Sequence, residues 1–552
     1  MKKSAMIAIT IVMIMAMLAS CAPKPTEAPT TAPVEPTTVP ALPTSAPVQP
    51  TSAPVQPTSP PAAAIASKAI VAIGADPSNL GPFVGMSMGR ISVLTTMYEY
   101  LFFVAGEELT PYVAKSFEQT GDKTFVVTLF DYVTDSAGNH ITAADVAFSY
   151  NSAMAANAYR PLGDVESVTA TGDYTVEFVT KEAVGAGGFE KIATECPVVS
   201  QAAYEASTDQ FATKPVTTAA YVITEYVPGS SLTFERRADY WQTDASLSPI
   251  VAKSNVQTAV FQIITEPAQH TVALQTGSAD ISTSIPGSDI SLFDGNPGFN
   301  VIKNQDNLTN LLAFNGSEGN PFTSKELRQA VSYAIDRKAL CDAVSPGACN
   351  PAHVIGNSNF IGYLTQWDTE SYYDYDLAKA QELFTASGAE AGMAVTLLGQ
   401  NDPRTGLVAQ VIQADLAKLG ITVNISQVEP PVFNSDKTDP TKWDLSLDAA
   451  AGGDYIFSPW QLMFDQKRYN GTTSNWFKDD QLQQLMDTAA AESTFTPDNV
   501  DAAWQYIKDQ VYMLGLFSYV NNIVSTSSIT SVYLDFRGFV VPGACEYSAG
   551  SE

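Results

Sequence analysis

An apolar run interrupted at Thr10 fills residues 5–18, preceded by Lys2 and Lys3. It is shorter than the ~20 apolar residues a membrane-spanning helix needs, and it has the length and basic flank of a secretory-signal core. Beyond it the pattern collapses. Thirteen of the 34 prolines lie between Pro23 and Pro61, and no Phe, Trp or Tyr occurs before Phe83. The heptapeptide Thr-Ser-Ala-Pro-Val-Gln-Pro occupies residues 44–50 and again 51–57. Chain of this kind cannot bury a core, so a disordered Pro/Thr-rich tether is predicted over residues 21–66. At ~3.1 Å per extended residue it reaches up to roughly 100 Å.

From about residue 69 the pattern alternates between two periods. Residues 124–130 and 174–180 alternate as strands do, and residues 221–226 and 232–236 flank Pro228-Gly229-Ser230 as a hairpin. Residues 260–265 read as a strand, Glu266-Pro267 opens a helix that stops near Gly277, and 279–282 resume extended chain. Farther on, Thr323 and Glu326 have capping-box spacing ahead of a stripe at Leu327, Ala330, Val331, Ala334 and Ile335. Similar stripes run through Leu377, Ala380, Leu383 and Phe384, and through Val408, Val411, Ile412, Leu416 and Leu419, the last ended by Gly420. These stripes are core. An α/β pattern of this length predicts two lobes, with ligand in the cleft between them.

Composition narrows the partners. The formal charge is −29, with 58 acidic against 29 basic residues. Nucleic-acid backbones and anionic lipid surfaces are read by Lys and Arg, so both are disfavoured as partners. Five Cys and three His leave little material for a metal cluster, and His140, His270 and His353 are scattered, so no metal and no cofactor is expected. Cys341 and Cys349 bracket a turn with Pro346-Gly347 and can close a small disulfide loop in an oxidising compartment. With Cys196 and Cys545 present, three connectivities, or four reduced thiols, stay open.

The signal core ends Leu18-Ala19-Ser20-Cys21, which resembles the bacterial lipoprotein signal. That resemblance implies removal of residues 1–20 and lipidation of Cys21. Farther along, five blocks occur in a fixed order. Thr96-Met97-Tyr98-Glu99-Tyr100-Leu101 leads to Leu109-Thr110-Pro111-Tyr112-Val113-Ala114. Then come Ile141-Thr142-Ala143-Ala144-Asp145-Val146 and Arg237-Ala238-Asp239-Tyr240-Trp241. Asn315 precedes Arg328-Gln329-Ala330-Val331-Ser332-Tyr333-Ala334-Ile335-Asp336-Arg337. Together they resemble the extracytoplasmic solute-binding proteins of family 5, which serve ABC importers of peptides and nickel.

The resemblance implies an α/β clamshell of two unequal lobes with mixed sheets and two crossings. Lobe I would take residues 67–311 and 518–552, with an inserted subdomain, and lobe II residues 312–517. It implies a lipid-anchored, extracytoplasmic monomer that closes on a solute and delivers it to an ABC permease with separate ATPase subunits. Peptide is the expected cargo, with oligosaccharide as the alternative.

Peptide-binding relatives pair the peptide ammonium with an Asp in a loop like Gly452-Gly453-Asp454-Tyr455, which makes Asp454 a candidate beside the plain reading of a turn-capping Asp. Some dipeptide-binding members hold a carboxylate with an Arg from the loop where Arg404 stands, although a solvated loop charge fits its spacing better. Tyr455, Trp460 and Trp476 surround the Asp454 loop in sequence and can line pockets or stack on sugars, though each is more often core. Asn315 and His353 are expected in loops facing the cleft.

One pattern points to another class. Gly85-Met86-Ser87-Met88-Gly89 fits the nucleophile elbow of serine hydrolases. A working elbow needs a buried strand directly before it, and only Phe83 and Val84 separate Pro82 from Gly85. The chain carries no H-E-x-x-H or Walker A stretch, so the expectation is a binding protein and not an enzyme.

Overall fold

The computed structural model describes residues 65–105, 108–451, 455–466 and 476–548, all within the compact unit Ala62–Glu552. The signal segment, Cys21, nearly all of the tether and Asp454 lie outside the described residues.

The backbone of the fold is one long mixed sheet. Its strands are β1 (Ala66–Ile73), β2 (Tyr221–Val227), β3 (Ser231–Arg236), β4 (Val256–Ile263), β5 (Ile281–Ile285), β6 (Phe299–Gln305), β7 (Leu308–Phe314), β8 (Ala394–Gln400), β9 (Thr422–Val428), β10 (Leu445–Ala451) and β11 (Met513–Thr526). The order is β9-β8-β10-β7-β11-β5-β1-β4-β3-β2, with β6 also paired to β11. Parallel pairing joins β1 to β4 and β5, and β8 to β9 and β10, as strand–helix–strand units require. The central strands β7 and β11 are buried on both faces along most of their length, whereas Thr124–Leu129, in a separate four-stranded antiparallel sheet, alternates buried and half-buried.

Local chemistry sets the element ends. Pro267 occupies the first turn of Pro267–Gln275, and Gly277 follows with φ +71°. The helix Lys325–Ala334 is capped by the Ser324 hydroxyl, which accepts from the Leu327 amide. Thr323, expected in that role, belongs to the preceding turn Pro321–Thr323, so the cap stands one residue later than the spacing suggested.

Two hydrophobic clusters divide the body. The first packs Val71, Leu94, Phe125, Phe178 and Phe261 with Ile523 and Val541. The second packs Leu311, Val331, Leu397, Ile412, Trp460, Trp504 and Phe517. The fold is thus a two-lobed α/β clamshell, and only a few segments pass between the lobes. β11 is the principal one: Met513 to Phe517 pair with β7 in the second lobe, and Val520 to Thr526 pair with β6 in the first. The turn from β6 to β7 at Asp306 and Asn307 makes the other passage. No helix among the described residues is long and apolar enough to cross a membrane.

The lobes also touch away from these crossings. The Ala186 amide, just before helix α1 (Gly188–Glu195), donates to the Ala490 carbonyl at 2.8 Å. Lys191 Nζ, on α1, donates to Ser458 Oγ at 2.6 Å and lies 5.6 Å from the Tyr455 ring centre. Gly187 has φ +65°, and a Cβ there would stand 1.9 Å from Tyr455 Cε2. Only glycine leaves room for the Tyr455 ring against this backbone.

Candidate functional site

A cavity of about 190 Å³ opens beside the crossing strands. Its wall draws on Asn310 and Leu311 of β7, Leu447 to Ala449 of β10, Leu516, Phe517 and Tyr519 of β11, and the start of helix α2 (Pro403–Ala417). The β11 passage between the lobes therefore borders it, and the start of β7 follows the other passage. A roomier cavity of about 630 Å³ lies among Phe83, Phe148 and Tyr204, but it touches neither crossing strand and lobe motion does not act on it.

Arg404 projects from the first turn of α2. Asp402 caps that turn, its Oδ1 accepting the amides of Arg404 and Thr405 at 3.0 Å each. Burial raises the Asp402 carboxyl, but the Thr405 hydroxyl, these amides and the Arg404 charge outweigh it and hold it below the ordinary value. The Arg404 guanidinium lies 5.2 Å from the centre of the Tyr519 ring, in cation–π contact. Burial pushes the Tyr519 phenol up, with Arg404 opposing, so the ring stays neutral. No described residue accepts a hydrogen bond from that guanidinium. The residue is exposed, so its five donors face solvent and are open to a carboxylate.

On β10, Asp448 Oδ1 accepts from Lys437 Nζ at 2.8 Å, with side chains 7% and 15% exposed. The other oxygen, Oδ2, is buried without a partner. Asn310 Nδ2 donates to the Phe517 carbonyl at 3.3 Å and pins β7 to β11 at the crossing.

The remaining sequence candidates scatter. Trp460 is 0% exposed, donates Nε1 to the Ile355 carbonyl at 2.8 Å, and stacks with Trp504 at 6.0 Å. It is core, because the helix Phe457–Phe464 that carries it turns this face inward. Asn315 is also 0% exposed; its Nδ2 clips the carbonyls of Pro440 and Trp443 at 2.8 and 2.6 Å, so it ties chain ends together and does not face solute. His353 is exposed and outside the cavity wall. Trp476 packs against the small cluster of Leu398, Phe433 and Trp443. Tyr455 is half-buried at the lobe contact, stacked on Phe457 at 5.2 Å. Asp454 is outside the described residues.

Cys341 and Cys349 are joined, with Cα atoms 5.3 Å apart, while Cys196 and Cys545 are unbonded and buried. Among the described residues no three His, Cys, Asp or Glu side chains gather as a metal site needs. Ser87 is a helix cap: its hydroxyl accepts the Arg90 amide at 3.3 Å, and the residues before it form turns and bends, so the elbow geometry is missing. His270 is engaged elsewhere, with Ser282 and the Ile264 carbonyl at 2.8 Å each.

Sequence reasoning passed over Lys437, Asp448, Tyr519 and the 185–191 segment. Asp448 did carry a signal, as a carboxylate in a strand otherwise built of Leu, Ser and Ala.

Two lobes joined at the β11 crossing, with a cavity beside that strand, give the architecture of a solute-binding clamshell. The chain belongs to the bacterial extracellular solute-binding proteins, family 5, whose middle-region model matches residues 108–471. It is 26% identical over 318 residues to a di/tripeptide-binding protein of Pseudomonas aeruginosa; this covers 55% of the chain and 53% of that relative, so the chain spans about half of its length. It is 24% identical to the glutathione-binding protein GsiB of Shigella boydii, over 66% of the chain and 70% of the relative. Its fold matches the crystal structure of the ABC transporter substrate-binding protein CtaP of Listeria monocytogenes, with TM-score 0.71, 22% identity, and coverage of 88% of this chain and all of the other. Proteins of this family are extracytoplasmic components of transport and not enzymes.

Proposed function

We propose that this chain is the receptor of an ABC importer for di- or oligopeptides. In this reading residues 1–20 are removed, Cys21 is lipidated, and residues 21–66 tether a monomeric clamshell outside the cell membrane. Closure takes the solute out of water and presents the closed form to a permease, whose ATPase subunits are separate chains. The observation that carries the peptide assignment is the Arg404 guanidinium, set against Tyr519 in a cavity bordered by the β11 crossing and without a hydrogen-bond acceptor among the described residues. The peptide-binding relatives support it. The oligosaccharide alternative leaned on tryptophans, and Trp367, Trp443, Trp460 and Trp504 are buried in core packing, where they cannot stack on sugar.

Calorimetric titration with a dipeptide and tripeptide library and a glycan set tests the assignment. Peptide binding is expected, and Arg404→Ala is expected to weaken it roughly 10- to 100-fold, the range for a lost hydrogen bond to a charged group. Glycan binding without peptide binding rejects the proposal.

A further inference from the structure

The first lobe carries a cavity that the peptide reading does not use. Its volume is about 630 Å³, inside the ~300–1,000 Å³ span of small-molecule sites, and it meets neither crossing strand. Three aromatic rings form its apolar wall. Phe83 comes from a turn that follows β1, Phe148 from the helix Ala143–Ala155, and Tyr204 from the helix Gln201–Ala206. Ring centres lie 5.1 Å apart for Phe83 and Tyr204, 5.6 Å for Phe148 and Tyr204, and 6.0 Å for Phe83 and Phe148. The rings are mutually tilted by 56° to 73°, so they make a faceted aromatic wall and not a flat stack.

The charge on the lining has one sign. Glu205 and Asp209 contribute carboxylates, and no Lys, Arg or His is among the lining residues. Both acids are held in place. Glu205 Oε1 accepts from Gln201 Nε2 at 2.7 Å, and Asp209 accepts from the Thr213 and Ser207 hydroxyls at 2.6 and 2.9 Å. The backbone beside them is strained. Gln210, which lines the cavity, has φ +54°, and its neighbour Phe211 has φ +65°. Side chains of this size adopt such angles at a cost, and residues held so gather at ligand sites. The Phe211 ring meets Tyr204 edge-on at 5.4 Å, so the strained turn supports the aromatic wall directly.

We infer that this cavity is a second binding site, for a small organic cation with apolar substituents of the quaternary-ammonium kind, and that it fills independently of the peptide. Aromatic ring faces attract such a cation, the two carboxylates add to that attraction, and the substituents bury against the rings. A neutral ligand forgoes both attractions and an anion meets repulsion. The site lies within one lobe, so its occupancy leaves the closure equilibrium where it was.

The test titrates the full chain calorimetrically with benzyltrimethylammonium, taking benzyl alcohol as the neutral comparison and benzoate as the anion. The cation is expected to bind roughly 2- to 30-fold more tightly than the alcohol, the range of a cation–π contact, and benzoate more weakly than either. Tyr204→Leu is expected to erase most of the preference for cation over alcohol. Glu205→Gln, at an exposed position, is expected to weaken the cation roughly 2- to 5-fold, a difference that about 1 M salt abolishes. If Tyr204→Leu does not fold, Glu205→Gln and its salt dependence decide the matter. A saturating dipeptide is expected to leave the cation affinity unchanged. Equal affinity for cation and alcohol overturns the inference, as does a cation affinity untouched by Glu205→Gln. Competition between cation and dipeptide also overturns it, because the cation then occupies the cavity at the crossing.

Discussion

The lobe contact at Gly187 yields a quantitative expectation for Gly187→Ala. The residue sits at φ +65°, where a side chain costs about 1–2 kcal/mol. The new Cβ would lie 1.9 Å from Cε2 and 2.3 Å from Cζ of Tyr455, so the ring has to leave its place. Leaving disrupts its stacking on Phe457 and its edge contact with Phe495 at 5.4 Å, together about 0.5–1.5 kcal/mol. It also disrupts the Lys191 contact, about 0.5–1 kcal/mol. The clash with Tyr455 exists only when the lobes are together, so separating them relieves it. The backbone strain is common to both forms, so the lost ring contacts alone set the shift toward the open form, about 1–2.5 kcal/mol, or roughly 5- to 70-fold in the equilibrium. Small-angle scattering with and without bound peptide reads the change directly, and affinity is expected to fall in step. Gly229→Ala is the control: φ is +72° in the β2–β3 turn, but no atom lies within 4 Å of the added Cβ. It is expected to lower stability by about 1 kcal/mol and leave closure alone. Unchanged scattering and affinity in Gly187→Ala, or an equal shift in Gly229→Ala, would refute the reasoning.

Two further outcomes are expected. Burial pushes the Glu99 carboxyl up to about 7, against hydrogen bonds from Tyr240 at 2.7 Å and Trp241 at 3.0 Å, so the folded state holds a proton that the unfolded state releases near 4.5; the stabilisation is full below that value and is lost as pH rises through 7, by about 3 kcal/mol. Calorimetric melting at pH 5 and pH 8 is expected to show a smaller pH dependence in Glu99→Gln than in wild type, and equal dependence refutes the assignment. Replacing Cys341 and Cys349 by Ser opens a loop of sequence separation 8 and is expected to cost about 2–3 kcal/mol in urea unfolding, with a weaker peptide affinity because Cys349 pairs in register with Tyr519; unchanged affinity argues that the strand holds Tyr519 without the bond.

The lobe crossings explain why one cavity matters more than another of greater volume. At the crossing, β11 carries both the lobe connection and the cavity wall, through Phe517 and Tyr519. A solute held there touches the strand that joins the lobes, so its binding energy acts on the closure equilibrium. A solute among Phe83, Phe148 and Tyr204 touches one rigid lobe and leaves that equilibrium unbiased.

The α/β class, the strand and helix periods and the family motifs were all readable along the chain, because hydrophobic period and turn chemistry are local properties. Pro267 with Gly277, and the alternation of Thr124–Leu129, are examples. Trp460 and Asn315 were not readable: an aromatic or an amide near a motif has the same letter whether it faces core or cleft, and only the packing of helix Phe457–Phe464 and of the Pro440–Trp443 turn decided that both turn inward. Arg404 was legible in part. It is exposed, as the solvated charge its spacing argued for would be, and only the fold set it beside Tyr519, 115 positions away. Lys437 with Asp448, and Gly187 with Tyr455, were invisible for the same physical reason: long-range contacts follow from how finished elements pack, and no local period encodes them.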